Sequence, residues 1–301
     1  MKLVSFCAED GVARVGVVQA DQVYDVDDQV ARLPVPAHIA ARLAQHGLRP
    51  AAGGMLRLLQ AGEDAWQRLA PADAPSAALA TVKLLAPVPR PGKIVAIGRN
   101  YADHAKETGV SPFETPRIIS KLPSSVCGPG SCVPRPQGVS KLDFEVELAV
   151  VIGAFAQRVP MARALDCVAG YTVLDDLSAR EFQFDVSPAQ TTFAKSMDRF
   201  CPMGPWLVTR DEIDDPQTLE LSCHVNGQAM QRGHTADMLF PVARLIEYIS
   251  NYMTLEPGDV IATGTPAGIG AFRSPPVWLQ PGDRIRMEIS SIGVLEHQIV
   301  A

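Results

Sequence analysis

Residues 144–153 read FEVELAVVIG, and this stretch decides the fold. Glu145 and Glu147 are two apart, so in a strand both side chains leave the same face. Phe144, Val146, Leu148, Val150 and Ile152 occupy the opposite face, which is wholly apolar. A lone Glu-x-Glu is also what a strand with one face in water displays. Here, however, Ala149 and Val151 make the second face apolar directly after Glu147. A strand apolar on both faces belongs inside a covered sheet, and this one carries two carboxylates at its entrance. Two buried like charges a few ångströms apart do not both stay ionised without a cation beside them.

Downstream, Val168–Leu174 is a second apolar strand, and it runs into Asp175 and Asp176. These acids either cap a following helix or join the first pair. Asp176, Arg180 and Gln183 are spaced i, i+4, i+7, which predicts one helical face from about Leu177 bearing an acid, a guanidinium and an amide. Two readings fit: an ion pair within the helix, or a third metal carboxylate beside an arginine that grips a substrate carboxylate. Upstream, the strand Lys93–Gly98 leads into GRNYADHAKETG (98–109). Asn100 or Asp103 can start a helix there and Gly109 ends it early, while His104 and Glu107 share a face, either as an idle solvated pair or as a base and its orienter. Lys195, in TTFAKS, is a lone cation among small and apolar neighbours, either a snorkelling surface lysine or a site residue. The glycine-rich stretch TGTPAGIG (263–270) has neither a dinucleotide fingerprint nor a P-loop lysine. It can still aim backbone N–H groups and the Thr265 hydroxyl at a carboxylate.

The remaining sequence supplies the frame. Lys2–Phe6, Ala13–Val18 and Val23–Val26 read as short strands, and residues from about 37 to 69 as helices. The proline-rich PADAPSA and APVPRPGK flank a short strand at Val82–Leu85, which suggests a small N-terminal domain of residues 1–85 and a main domain of 86–301. Asn226-Gly227 reads as a two-residue hairpin turn. Val242, Leu245, Ile246, Ile249 and Met253 form a core-facing helical stripe. Leu255-Glu-Pro-Gly-Asp259 and Leu279-Gln-Pro-Gly-Asp283 are two copies of one turn, each launching a strand. Strands outnumber helices without regular alternation, so the class is α+β. A net charge of −6 with no basic stripe argues against nucleic-acid binding. No apolar run approaches the roughly 20 residues of a membrane span. The six cysteines are scattered without paired spacing, as expected of free thiols in a reducing cytoplasm.

Six phrases in this order, GRNYADHAKE, LDFEVELAVVIG, AGYTVLDDLSAREFQ, FAKSMDRFCPMGPW, VNGQAMQ and LEPGDVIATGTPAGIG, resemble the fumarylacetoacetate hydrolase family from about residue 93 onward. The resemblance implies a mixed β-sheet roll or sandwich with a small N-terminal α/β domain, assembled as a homodimer. It implies that Glu145, Glu147 and Asp176 bind Mg²⁺ or Mn²⁺, and that His104 and Glu107 form a catalytic dyad on a lid. By the same resemblance Lys195 assists catalysis, while Arg180, Gln183 and Thr265 bind the substrate. The family's namesake has a further acidic ligand before the lid histidine, where this chain has Ile94–Ile97 and no acid. That aligns it with shorter bacterial members acting on small 2-oxo acids. The expected reaction is C–C hydrolysis of a 2,4-diketo acid, an acylpyruvate or a diketo sugar acid. Oxaloacetate decarboxylation, hydroxydienoate isomerisation and a catalytically silent metal-bound scaffold are the alternatives on the same site.

Overall fold

The computed structural model describes residues 1–107 and 113–301; Gly109, expected to end the helix after Tyr101, lies outside them. Val146–Ile152 is a strand buried at every residue. It pairs antiparallel with Val168–Asp175 on one side and with Val260–Ala262 on the other. Ile94–Gly98 continues the sheet parallel to Val260–Ala262. Arg117–Lys121 follows it antiparallel, with Gly98 opposite Arg117.

These directions determine where chemistry can occur. Antiparallel pairing sets the start of Val146–Ile152 beside the end of Val168–Asp175, with Val146 opposite Asp175. Glu145, Glu147, Asp175 and Asp176 therefore meet at one rim of the sheet. The chain leaves Val260–Ala262 and Ile94–Gly98 at that same rim, delivering Thr263–Thr265 and the segment Arg99–His104 to it.

Beyond Val168–Asp175 the sheet continues through Cys201–Thr209 to Lys2–Cys7, where Lys2 lies opposite Val208 and Leu3 opposite Leu207. Ala13–Gln19, Gln22–Asp25 and Ser76–Ala78 complete that side. Main-chain hydrogen bonding thus joins residues on either side of position 85. Packing does the same: Leu3, Val15, Leu58 and Leu59 share one core with Ala149, Val151, Leu174 and Val260. Leu58 and Leu59 belong to the helix Gly54–Ala61. Each such side chain, fully buried, contributes roughly 1.5–3 kcal/mol.

The other face of the Val146–Ile152 strand packs on a second sheet, ordered Gln228–His234, Glu220–Val225, Arg284–Ile289, Gly293–Val300, Cys132–Pro134 among the described residues. Val146, Leu148, Val150 and Ile152 share that core with Leu221, Cys223, Met287 and Leu295. This is the expected α+β sandwich. The hairpin turn has φ of 51° at Asn226 and 80° at Gly227, as a two-residue turn between twisted strands requires. In the two Pro-Gly-Asp turns, Glu256 N–H donates to Asp259 Oδ2 and Gln280 N–H to Asp283 Oδ2, each at 2.7 Å. Val242, Leu245, Ile246 and Ile249 are buried on the helix Val242–Tyr252; Met253 falls past its end and is exposed. No helix among the described residues is long and apolar enough to cross a membrane.

Candidate active site

At the shared rim, one carboxylate oxygen from each of Glu145, Glu147 and Asp176 lies within 4.8 Å of the others, and all three residues are buried. Backbone contacts between the two strands hold them there. Glu145 N–H donates to Asp175 Oδ1 at 2.9 Å, and Asp176 N–H donates to the Glu145 carbonyl at 3.0 Å.

Lys195 is not a surface residue. It follows the short helix Thr191–Ala194, and its buried Nζ donates to Glu145 Oε2 at 2.8 Å, Asp176 Oδ2 at 2.5 Å and Ser178 Oγ at 2.8 Å. Lys121, which the sequence did not single out, is fully buried. Its Nζ stands 2.8 Å from Asp176 Oδ1 and donates to the carbonyls of Phe200 and Lys195, fixing the latter residue from behind.

The helical face expected to carry Asp176, Arg180 and Gln183 does not form. Asp176 precedes a two-residue strand, Ser178–Ala179, paired with Leu142–Asp143, and the helix spans only Glu181–Phe184. The physical reason is that the backbone donors are taken elsewhere: Asp176 N–H goes to Glu145 O and Arg180 N–H to Lys141 O. Arg180 consequently pairs with other acids, its Nε donating to Asp143 Oδ2 at 2.8 Å and its Nη2 to Glu145 Oε1 at 2.5 Å. Its Nη1 donates to Gln183 Oε1 at 2.8 Å, so these two residues do act together.

His104 and Glu107 sit on the helix Ala102–Glu107, with His104 Nδ1 3.1 Å from Glu107 Oε2. Asn100, offered by the sequence as a helix start, instead ties segments together. Its Nδ2 donates to the Phe240 and Thr263 carbonyls, and its Oδ1 accepts Phe240 N–H. The glycine-rich loop does present N–H groups to carboxylates, but to the protein's own. Gly264 N–H donates to Glu147 Oε2 at 2.8 Å, Gly268 N–H to Glu107 Oε1 at 3.1 Å, and Gly270 N–H to Asp143 Oδ1 at 2.7 Å. A Cβ on Gly270 would lie 2.0 Å from the Val277 carbonyl oxygen and 2.6 Å from Asp143 Oδ1, so this contact requires glycine. The Thr265 hydroxyl donates to Val146 O at 2.9 Å and accepts from Gln231 Nε2 at 2.7 Å.

A cavity of about 210 Å³ opens here, lined by His104, Glu145, Glu147, Asp176, Arg180, Gln183, Lys195 and Thr265, with Glu107 behind His104. Its volume lies below the range of about 300–1,000 Å³ common for drug-sized ligands, and suits a small acid. Asp143 and Lys121 support the site and were missed by sequence reading, while Asp175, one of the two acids the sequence offered to the cluster, supports it by accepting the Glu145 N–H and pairing with His297 Nε2 at 2.8 Å. Asp143 had a signal, since it extends the alternation of Glu145 and Glu147 by one step.

The electrostatics are uneven. Burial alone would raise Glu145, but Lys195 and Arg180 outweigh it and hold its carboxyl well below the usual range. Burial pushes Glu147 well above that range, and the charges of Asp176 and Glu145 push it further the same way. Glu147 receives the Gly264 N–H and, among the described residues, no paired cation. Burial would lower Lys195, yet Asp176 and Glu145 raise it and keep it charged.

The family model described as fumarylacetoacetate (FAA) hydrolase, C-terminal, matches residues 93–300, the part of the chain that builds this site. The chain belongs to the fumarylacetoacetate hydrolase family. Among its relatives is a mitochondrial oxaloacetate tautomerase of Homo sapiens, 43% identical over 249 residues, which cover 82% of this chain and 79% of the relative. A fumarylacetoacetate hydrolase from Exiguobacterium antarcticum has the same fold, with a TM-score of 0.81 and 37% identity over 100% of this chain and 99% of that one. A maleylpyruvate hydrolase from Sphingobium, solved with a manganese(II) ion and pyruvate, gives 0.72 and 31% over the same shares. In this member of the fumarylacetoacetate hydrolase family the three carboxylates fit a divalent cation. They are hard oxygen donors, buried and close together, and the ionised form of one, Glu147, is disfavoured by burial and its carboxylate neighbours unless a further cation joins them.

Proposed function

We propose that this chain is a Mg²⁺- or Mn²⁺-dependent enzyme that hydrolyses the C3–C4 bond of a small 2,4-diketo acid, an acylpyruvate or a diketo sugar acid. One observation carries this reading: Glu145, Glu147 and Asp176 converge, with Glu147 unbalanced, on the same small cavity that His104 lines. These three residues would hold the ion, which when bound supplies Lewis-acid stabilisation of the negative charge developing on the 2-oxo group.

The chain's own residues do the rest. With Nδ1 turned to Glu107, His104 keeps Nε2 as its basic nitrogen and takes a proton from the water that attacks the C4 carbonyl. The C3–C4 bond then breaks, and its electron pair passes to C3 and on to the 2-oxo oxygen; protonation at C3 completes a 2-oxo acid and a carboxylate. Help of this kind typically gives about 10²–10⁴ in rate. Gly268 N–H steadies Glu107, and the Phe272 ring packs against the His104 ring with 6.2 Å between centroids. Lys195 brings positive charge to the 2-oxo acid end. Gln183, its carbonyl oxygen bound to Arg180, offers its amide NH₂ to the substrate, and Thr265 forms part of the wall.

A second reading, enol–keto interconversion of oxaloacetate, is favoured by the human tautomerase relative. It needs the same dyad, moving a proton between C3 and the 2-oxo oxygen without breaking a carbon–carbon bond. The test is a panel of acetylpyruvate, fumarylpyruvate and oxaloacetate with Mg²⁺ or Mn²⁺. Pyruvate release from the acylpyruvates, abolished by excess EDTA and restored by the ion, is expected. Full activity in EDTA overturns the metal's part, interconversion without pyruvate release selects the second reading, and metal binding with no turnover of any substrate selects a silent scaffold. The same proposal places the protein in a reducing cytoplasm, which the six unpaired cysteines support, as a homodimer to be checked by sedimentation.

A further inference from the structure

Two cations line the cavity that the chemistry above does not use. Arg99 follows the strand Ile94–Gly98, and Arg117 begins the next strand directly opposite Gly98. Gly98 makes room for this, because a Cβ there would stand 3.2 Å from Arg117 Cδ. Arg99 takes φ of 57°. Both guanidiniums flank the Phe113 ring, with their carbons 5.8 and 6.0 Å from its centroid. Among the described residues neither has a carboxylate partner, although the chain is acidic overall.

Two like charges gathered at one wall call for an anion. Burial lowers Arg99 and the neighbouring Arg117 charge lowers it further, so a bound anion would relieve both. Arg99 follows a strand two spacings from the one bearing Glu147, about 9–10 Å at the usual separation. Arg117 lies on the next strand, three spacings or about 14 Å away, from which its long, exposed side chain still lines the same cavity. These are suitable spans for a molecule whose 2-oxo acid end meets the carboxylate group while its other end reaches the arginines.

We propose that Arg99 and Arg117 form a subsite for a second carboxylate, so that the substrate is a dicarboxylic 2-oxo acid. The inference rests on the 2-oxo acid reading of the site and narrows it: acids with an uncharged tail become poor ligands. Arg117 supplies the planar, two-pronged donor that a carboxylate matches.

Binding of two non-reacting ligands of equal chain length, 2-oxoglutarate and 2-oxopentanoate, tests this by calorimetry with and without Mn²⁺. The wild type is expected to prefer the dicarboxylate by about 10- to 100-fold, the range of a charge-assisted pair. Arg117→Leu brings that ratio close to one, and Arg117→Lys restores part of it. A wild-type ratio near one overturns the subsite, as does a ratio untouched in Arg117→Leu, which would leave the arginines only their packing on Phe113. Failure of the parent reading looks different, because Mn²⁺ would then tighten neither ligand while the ratio persisted. Absence of binding by both ligands counts against both proposals.

Discussion

Asp143 and Glu147 stand four residues apart on one segment, both buried, and their surroundings differ sharply. Asp143 accepts N–H groups from Phe144, Gly270 and Ala271 and pairs with Arg180 Nε at 2.8 Å. Among the described residues Glu147 accepts one N–H, from Gly264, and faces two other carboxylates. Burial raises both acids, but Asp143 has Arg180 opposing that shift, whereas the neighbours of Glu147 add to it. The fold can satisfy a buried carboxylate fully from its own donors. It does so at Asp143, which braces the site, and does not at Glu147, which faces the cavity. On the function proposed above, a carboxylate left short of partners beside one that is fully served marks the boundary between scaffold and metal ligand.

Substituting each in turn should separate those roles. Glu147→Gln should lower kcat/KM by about 10²–10³-fold or more, as loss of a group acting on developing charge does, and should abolish Mn²⁺ binding by calorimetry. It should also raise the thermal midpoint of the metal-free protein near neutral pH, because the neutral amide removes the cost of burying a carboxyl whose ionised form is disfavoured there. A lower midpoint with retained Mn²⁺ affinity would make Glu147 scaffold and end the distinction. Asp143→Ala should do the reverse. It leaves Arg180 short of a partner and Gly270 and Ala271 N–H unpaired, costing about 3–5 kcal/mol in denaturant unfolding. A loss below about 1 kcal/mol would show that Asp143 braces nothing.

The smallest effect is a proton count. Because the folded value of Glu147 is raised, the metal-free protein favours its protonated form. That stability is fully present below the ordinary carboxylate value and is lost as pH rises through the folded one. Metal binding requires the ionised form, so it should release up to about one proton and weaken on acidification. Calorimetry in buffers of differing ionisation enthalpy measures this, and zero release at every pH through the carboxylate and neutral ranges would contradict it.

Strand alternation made Glu145 and Glu147 legible, because a two-residue period and an apolar run are local properties of the chain. Asp176 was ambiguous by itself; its place beside them depends on antiparallel pairing that brings residue 146 to residue 175, and only the family resemblance carried that information. The helical spacing of Asp176, Arg180 and Gln183 was numerically right and structurally empty, since long-range backbone acceptors outcompeted the i−4 carbonyls. For the glycine-rich loop the chemistry was legible and the recipient was not: N–H groups meet carboxylates, but those of Glu147, Glu107 and Asp143. Lys121 and Arg117 stand four apart at the two ends of one short strand and read like surface cations; their meaning lies in what the fold sets around them.

The helix Gly54–Ala61 has a consequence for engineering. Leu58 and Leu59 roof the underside of the strands that carry the site, and Leu56 touches the turn at Gly258. A chain begun at residue 86 would keep every residue assigned a chemical role yet bare Ala149, Val151 and Val260 to solvent, together with an edge along Leu207 and Val208 open to strand addition. Such a truncation should be recovered as aggregate. The amino-terminal third therefore covers an apolar face and a strand edge of the part that carries the site, and minimal versions of this protein would need a replacement cover before they need a better pocket.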